Sequence, residues 1–175
     1  GDTITIPSGA TITNSGTASG FGGITEADLW TMTSNLSLSG NTETLISANL
    51  SRSDDTGSGL LGTGMSVSSG IWTFPSTGFY LVNAQVQHEQ GSDSIYNGVR
   101  IYCTTNNSSY SNVSNANTSG KSGEYSNVST STIIDVTDTS NVKLKFYTIA
   151  QGGGTARGNS NYKYTGFYFI RLGDT

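Results

Sequence analysis

The stretch from Gly70 to Glu89, GIWTFPSTGFYLVNAQVQHE, decides the fold because it carries the strongest strand signal in the chain. It predicts a strand that ends at Pro75, a turn, and a longer strand that runs without glycine or proline from Phe79 to His88. Successive side chains of a strand point to opposite faces, and here both faces begin with apolar residues. Such a strand is covered on both sides, either by two layers of its own chain or by another chain.

The composition extends this interpretation to the whole chain. Of the 175 residues, 23 are glycine and 2 are proline, and only 11% are charged. Low charge is not typical of a disordered protein, and the polarity comes from Ser, Thr, Asn and Gly, which form turns. Further strand signals occupy residues 98–104, 130–137, 141–149 and 162–172. We therefore predict an all-β chain with at least eight strands in a two-sheet antiparallel sandwich of the jelly-roll type.

Residues 1–24 form a separate compositional block, and residues 25–175 form the main domain. Thr-Ile-Thr occurs at 3–5 and again at 11–13, with turn residues between the two copies. The block has too few apolar residues for a core of its own, so we expect a short β-rich attachment or stalk segment ordered by neighbouring chains. A flexible Gly/Ser linker is the alternative.

The charge and cysteine content exclude several classes of partner. The net charge is -4, and no cluster of Lys and Arg could displace counterions from a nucleic acid. No apolar run is long enough to span a bilayer, so we expect no membrane insertion. Cys103 is the only cysteine, which rules out an internal disulfide and a structural zinc site. We expect it to be a small buried residue of a strand.

The residues that usually carry catalysis are sparse, and we predict a protein that is not an enzyme and uses no cofactor or metal. His88 is the single histidine, expected to be exposed at a strand end, and no G-x-S-x-G elbow is present. The G-x-G-x-x-G at residues 57–62 lies in a predicted loop and lacks the strand and helix of a dinucleotide site. Calcium at Asp54, Asp55 or Asp93, or a carboxylate pair of a glycosidase, remains open.

Polar loops with tyrosines indicate a recognition surface, since rings stack on sugars and amides bind their hydroxyls. We predict three such loops, at residues 89–98, 106–124 and 151–163. The candidate receptor or glycan-binding residues are Tyr96, Tyr110, Asn112, Tyr125, Arg157 and Tyr162. A solubilising loop without a ligand is the alternative.

Three segments resemble the C1q/TNF-like jelly-roll family. They are F-P-x-T-G-F-Y-L-V-x-A-Q-V at residues 74–86, I-I-D-V-T-D-T-S-N-V-K-L-K at 133–145 and T-G-F-Y-F-I-R-L at 165–172. The resemblance spans residues 28–172 and implies a ten-strand sandwich that assembles as a compact homotrimer. Asn83 stands where the family usually has an aromatic residue, and the disulfides and collagen-like stalk of its extracellular members are missing.

The resemblance also implies which residues face the threefold axis. Those expected inside the sandwich are Tyr80, Val82, Ala84, Val86, Phe167 and Phe169. Those expected at the trimer axis are Leu81, Asn83, Gln85, Tyr164, Gly166, Tyr168 and Ile170.

Residues 1–24 are similar to segments that precede trimeric knobs in tail-fibre and capsid-appendage proteins of tailed bacteriophages. The combined hypothesis is a virion-surface structural protein, a fibre, knob or capsid decoration. It would bind other virion proteins through residues 1–24 and a host-surface glycan or other receptor through its loops. A secreted C1q/TNF-like signalling or adhesion ligand is the first alternative, and a carbohydrate-binding module or glycan-cleaving enzyme is the second.

Overall fold

A computed structural model describes residues 7–9, 23–53 and 55–175, and all regular structure in this part of the chain is β. The thirteen strands are β1 (Ala27–Met32), β2 (Leu36–Leu38), β3 (Thr44–Leu45), β4 (Leu50–Arg52), β5 (Ser66–Ser68), β6 (Ile71–Thr73), β7 (Gly78–Gln90), β8 (Ser94–Thr104), β9 (Ser111–Gly120), β10 (Tyr125–Val136), β11 (Lys143–Ala150), β12 (Gly154–Ala156) and β13 (Gly166–Gly173). The predicted all-β class is confirmed. These residues contain no helix long and apolar enough to cross a membrane.

The strands form two antiparallel sheets that pack face to face. Sheet A has the order β2-β12-β7-β13-β1-β4, with β10 paired to the other edge of β7. Sheet B has the order β5-β6-β11-β8-β9, with β3 also paired to β11. The neighbouring strands in sheet A are all non-consecutive in the sequence, as expected for a jelly roll, whereas sheet B also contains the consecutive pairs β5–β6 and β8–β9.

Strand β7 is the centre of sheet A, as the sequence predicts. Along one edge it pairs with β10 from Tyr125↔Glu89 to Val136↔Gly78, and along the other it pairs with β13 and β12. Its even-numbered side chains are buried and its odd-numbered ones are partly exposed. The predicted inward positions on β7 and β13 are confirmed, since each is at most 1% exposed.

Aromatic residues fill the space between the sheets. Trp72 is completely buried, and its ring centroid lies 5.5 Å from that of Phe146 and 5.1 Å from that of Phe169. Trp30 contacts Trp72 edge to face at 5.1 Å. Aromatic pairs at such separations add to the stability from apolar burial. This core fixes sheet A and sheet B against each other, so that each presents its outer face to the surroundings.

Two predicted strands are divided in the structure. Residues 65–74 form the hairpin of β5 and β6, because Ser69 and Gly70 adopt positive φ values of 50° and 77° and reverse the chain. A β carbon at position 70 would lie 3.1 Å from the Ile46 carbonyl oxygen, so glycine suits the turn sterically as well. Trp30, Met32, Leu36 and Leu38 alternate with mostly polar residues, which predicts one strand from Thr25 onward, and the structure divides this strand into β1 and β2.

The predicted loop at residues 106–124 is wrong, because strand β9 (Ser111–Gly120) occupies its middle at the edge of sheet B. Its sequence, SNVSNANTSG, lacks apolar alternation because most of its side chains are exposed or only half-buried. The predicted loop at 89–98 is likewise only a short turn between β7 and β8. The predicted attachment segment at 1–24 lies largely outside the described residues.

Candidate functional site: the two outer sheet faces

The outer face of sheet A is formed by the outward side chains of β10, β7, β13 and β1. Cross-strand pairing aligns Ile133 with Leu81 and Leu81 with Ile170. In the next row Asn83 lies opposite Tyr168. Directly opposed side chains on adjacent strands lie close enough to interact, so the four strands present one continuous surface.

This face is uncharged between its two ends, and its large apolar side chains lie toward the end that contains Phe79. Phe79, Ile133 and Leu172 are 39%, 59% and 51% exposed, although each is a large hydrophobic residue. The outward positions of β7 from 79 to 87, of β10 from 127 to 133 and of β13 from 166 to 172 carry no charge. A contiguous exposed apolar patch on a soluble domain is typical of an interaction surface.

Six of the seven residues predicted at the trimer axis lie together on this face. The pairs Leu81↔Ile170, Asn83↔Tyr168 and Gln85↔Gly166 are in register. The seventh, Tyr164, precedes β13. Sequence reasoning missed the contributions of Phe79, Leu172 and strand β10, although the alternation that selects Leu81 also selects Phe79.

A tyrosine-arginine cluster lies at one end of the same face. The guanidinium carbon of Arg157 lies 4.4 Å from the ring centroid of Tyr125 and 4.4 Å from that of Tyr164. Its Nη1 donates a hydrogen bond to Gln87 Oε1 at 3.2 Å. Tyr162 stacks on Tyr164 at 5.8 Å. The structure thus brings together three of the predicted receptor residues, Tyr125, Arg157 and Tyr162. Tyr164, which was predicted at the trimer axis, contacts both Arg157 and Tyr162.

The other three predicted receptor residues lie with sheet B. The Tyr96 hydroxyl donates to Asn41 Oδ1 at 2.6 Å. Asn112 pairs in register with Tyr102 of β8, and the Tyr110 ring contacts a lysine of β11. The six predicted residues therefore do not form one site but belong to two groups on opposite sheets.

The outer face of sheet B carries a group that we call the basic tyrosine patch, defined as Arg100, Tyr102, Tyr110, Lys145 and Tyr147. Strands β8 and β11 place Tyr102 opposite Lys145 and Arg100 opposite Tyr147. The rings of Tyr102 and Tyr147 lie 4.9 Å apart at 58°. The Lys145 ammonium lies 4.0 Å from the Tyr110 ring centroid, a cation-π contact.

Glu43 completes the polar contacts of the basic tyrosine patch. Its carboxylate forms an ion pair with Arg100 and accepts a hydrogen bond from the Tyr102 hydroxyl at 3.0 Å. Sequence reasoning missed Arg100, Tyr102, Lys145 and Tyr147. The alternation within residues 98–104 and 143–149 was the available signal, since it separates these residues from their buried neighbours.

His88 is completely buried, so the prediction of an exposed histidine is wrong. The reason is its even position on β7, which puts it on the same inward face as Tyr80 and Val86. The Thr148 hydroxyl donates to the Gly98 carbonyl at 3.0 Å, so it accepts from His88 Nε2 at 2.8 Å. His88 Nδ1 has no hydrogen-bond partner among the described residues. Burial lowers the pKa of His88 to about 4, so the ring is neutral near pH 7.

The carboxylates considered for calcium make contacts with the protein itself. Asp55 accepts from the Lys163 ammonium at 2.5 Å, and this contact lowers the pKa of its carboxyl group. Asp93 accepts from the Ser122 backbone N–H at 2.8 Å. Asp54 lies outside the described residues. Within residues 7–9, 23–53 and 55–175, no group of three or more His, Cys, Asp or Glu side chains is arranged to hold a metal ion.

No protein-family model matches the sequence, and no curated protein sequence is similar to it. Solved structures do match in fold. Murine APRIL is 13% identical with a TM-score of 0.61 over 84% of this chain and 98% of its own. Eiger TNF from S. frugiperda is 12% identical with a TM-score of 0.64, covering 85% of this chain and 93% of its own.

A virus protein has the same fold. The PRD1 vertex protein P5 is 16% identical with a TM-score of 0.53, covering 87% of this chain and all of its own. At such identities the similarity concerns the fold alone. The chain is a TNF-like jelly roll, as its sequence predicts.

Proposed function

We propose that this protein is a non-enzymatic virion structural protein that assembles as a homotrimer through the outer face of sheet A and attaches the particle to a host-surface glycan. The observation that carries the assembly is the absence of charge between the ends of that face, together with its exposed or half-buried apolar side chains Phe79, Leu81, Ile133 and Ile170. A second copy of the chain fits this face because it presents the same uncharged surface. Burial of each large apolar side chain contributes roughly 1.5–3 kcal/mol to the assembly.

The position of the charges supports assembly through this face. Glu89 and Arg157 lie at one end of it, and Asp135 lies at the other, opposite Phe79. Interfaces between subunits commonly have an apolar core and a polar rim, because charges at the centre would lose their hydration. Charges at both ends and none between them match that arrangement.

The virion setting draws on the fold and on the composition. The PRD1 vertex protein P5 has a similar fold and comes from a virus particle. The single cysteine means that no internal disulfide stabilises the chain, and burial between subunits supplies stability that a particle protein needs. Residues 1–24 are the proposed attachment to other virion proteins, and the globular domain lies at the virion surface.

Light scattering on the full chain tests the assembly. We expect a species with three times the 18.3 kDa mass of one chain at micromolar concentration. A stable monomer at that concentration would overturn it. Density for the chain in a map of the native particle tests the virion role, and cosedimentation with intact bacteria tests attachment.

A secreted signalling ligand is a second candidate, favoured by the similarity to Eiger TNF at the higher TM-score of 0.64. It requires a protein receptor and a secretory pathway, in which N-x-[ST] sequons such as those at Asn112 and Asn127 acquire glycans. Glycosylated native material that binds no bacteria would favour this candidate over the virion protein.

A further inference from the structure

We propose that the basic tyrosine patch on the outer face of sheet B binds an acidic saccharide, whose sugar units carry carboxylate or phosphate groups. The proposal deepens the attachment role and rests on it. It assigns the recognition site to one sheet face and specifies the charge of the ligand.

The position of the patch leaves it open to a ligand. The outer faces of sheet A and sheet B point in opposite directions, because the sheets pack through their inner faces. Assembly through sheet A covers the cluster of Tyr125, Arg157 and Tyr162, but it leaves the patch on sheet B accessible. The predicted receptor residues Tyr110 and Asn112 lie within the patch and beside it.

The tyrosines supply the apolar part of saccharide recognition. Tyr102 and Tyr147 are half-buried, and their rings contact each other at 4.9 Å. The hydrogen bond from Tyr102 to Glu43 and the pairing of the rings restrict their motion, so little side-chain entropy remains to be lost on binding. Fixed aromatic rings offer contact area to the C–H faces of a sugar, and Asn115, opposite Arg100, offers an amide to its hydroxyls.

The charge of the patch selects an anion. Arg100 and Lys145 contribute two positive charges against the one carboxylate of Glu43, although the whole chain has a net charge of -4. Lys143 lies on the same face, one outward position before Lys145. Among the described residues, no carboxylate lies within 4 Å of the Lys145 ammonium. This ammonium is therefore available to a carboxylate or phosphate group of a ligand.

A cleft of about 580 Å³ is the competing candidate, formed where the β7–β8 and β9–β10 turns meet. Its charged lining residues are Asp93, Lys121 and Glu124, so its net charge is negative. It contains no aromatic side chain on which a sugar ring could stack. The basic tyrosine patch has both features that the cleft lacks.

Isothermal titration calorimetry on the full chain tests the proposal with three probes. Trigalacturonic acid supplies carboxylates on its sugar units, phosphorylated maltotriose supplies phosphates, and maltotriose itself is neutral. We expect at least one acidic probe to bind ten-fold or more tightly than maltotriose, with an affinity that falls as salt is added. The acidic probe that binds identifies the anionic group. If neither acidic probe binds more tightly than maltotriose, the proposal is wrong.

Matched lysine variants locate the binding. We expect Lys145→Ala to weaken binding of the acidic probe at least ten-fold and Lys145→Arg to retain it within three-fold. Lys121→Ala removes the same charge from an exposed residue outside the patch, and we expect a change below two-fold. Equal effects at positions 145 and 121 would overturn the assignment.

The same variants separate this proposal from the attachment role itself. A Lys145→Ala protein that still cosediments with bacteria like the parent chain would refute the patch and leave attachment standing. Light scattering on each variant monitors assembly independently, because the patch and the assembly face lie on opposite sheets.

Discussion

Leu81 of β7 and Ile170 of β13 lie directly opposite each other on the outer face of sheet A, and Ile133 of β10 lies on the other side of Leu81. Three aliphatic side chains thus form a row across three strands, and the chain itself leaves that row partly exposed. In the proposed assembly the odd positions of β7 are apolar here because another copy of the chain covers them, whereas the even positions are apolar because they form the chain's own core. The first prediction tests that difference.

We predict that Leu81→Asp dissociates the trimer and leaves each chain folded. The substitution places a carboxylate in the centre of an apolar surface, where assembly would bury it without a partner. In the separate chain the position is only half-buried, so the carboxylate reaches water. Light scattering is expected to give the monomer mass, and circular dichroism is expected to give an unchanged β spectrum.

Val113→Asp is the matched control, because it adds the same charge to an exposed apolar residue, 43% exposed, on β9 of sheet B. We expect this variant to remain a trimer. If Leu81→Asp also remains a trimer, the interface lies on a different face.

The sequence predicted those parts of the fold in which burial and residue type agree. Tyr80, Val82 and Val86 alternate with more exposed residues, so the core face of β7 could be identified directly. His88 continues the same alternation, but its polar side chain suggested exposure. Its hydrogen-bond partner Thr148 lies on the other sheet, so the sequence around His88 gave no sign that the ring could be buried. Strand β9 was missed because an edge strand with exposed Ser and Asn side chains gives no apolar period.

The candidate sites were predicted less completely, because they depend on contacts between distant segments. Arg157 lies between Tyr125 and Tyr164 only because β12, β10 and the segment before β13 meet in space. Likewise, Tyr102 and Tyr147 become neighbours through the register of β8 and β11. The composition predicted that tyrosines form a recognition surface, but it could not show which sheet each tyrosine belongs to.

We predict that the protein loses stability between pH 6.5 and pH 4 because of His88. Burial lowers the pKa of this histidine to about 4, whereas in the unfolded chain it has the ordinary value of 6.5. In that window the unfolded state therefore binds a proton that the folded state does not, and acid favours unfolding. The difference corresponds to roughly 3 kcal/mol in the free energy of unfolding, measured by urea denaturation across the pH range.

His88→Gln serves as the control, since an amide N–H can still donate to the Thr148 hydroxyl and does not titrate. The carboxylates titrate in both proteins, so the difference between their pH profiles isolates the histidine. Parallel profiles between pH 6.5 and pH 4 would show that His88 is not responsible.

Asp28 is predicted to hold the segment that follows β4 in place. The residue is 5% exposed, and its carboxylate accepts hydrogen bonds from Arg52 Nε at 2.8 Å, Trp30 Nε1 at 2.8 Å and the Met65 backbone N–H at 2.7 Å. Asp28→Asn removes the charge and leaves Arg52 without its ion-pair partner. Because Arg52 is itself partly exposed, we expect a loss of about 2–3 kcal/mol in the free energy of unfolding, measured by denaturant titration.

Asp174→Asn is the matched control for Asp28, because Asp174 also pairs with an arginine, Arg171, but its side chain is 89% exposed. Exposed ion pairs contribute little, so no measurable change in the unfolding midpoint is expected. Similar losses for both variants would mean that burial of Asp28 is not the source of its effect.

Arg157→Ala is predicted to weaken assembly without affecting binding of the acidic saccharide. The cluster that Arg157 forms with Tyr125 and Tyr164 lies on the outer face of sheet A, so trimer formation covers it, whereas the basic tyrosine patch lies on sheet B. Both cation-π contacts lie within one chain and contribute about 0.5–1 kcal/mol each to the order of the cluster, so their loss weakens assembly only by loosening the two rings, and we expect the dissociation constant to rise by about ten-fold at most. Sedimentation at decreasing concentration measures the dissociation, and calorimetry with trigalacturonic acid or phosphorylated maltotriose measures the binding. The opposite result is an intact trimer with weakened saccharide binding. It would mean that Tyr125, Arg157 and Tyr162 belong to a receptor site and that the chain assembles through a different face.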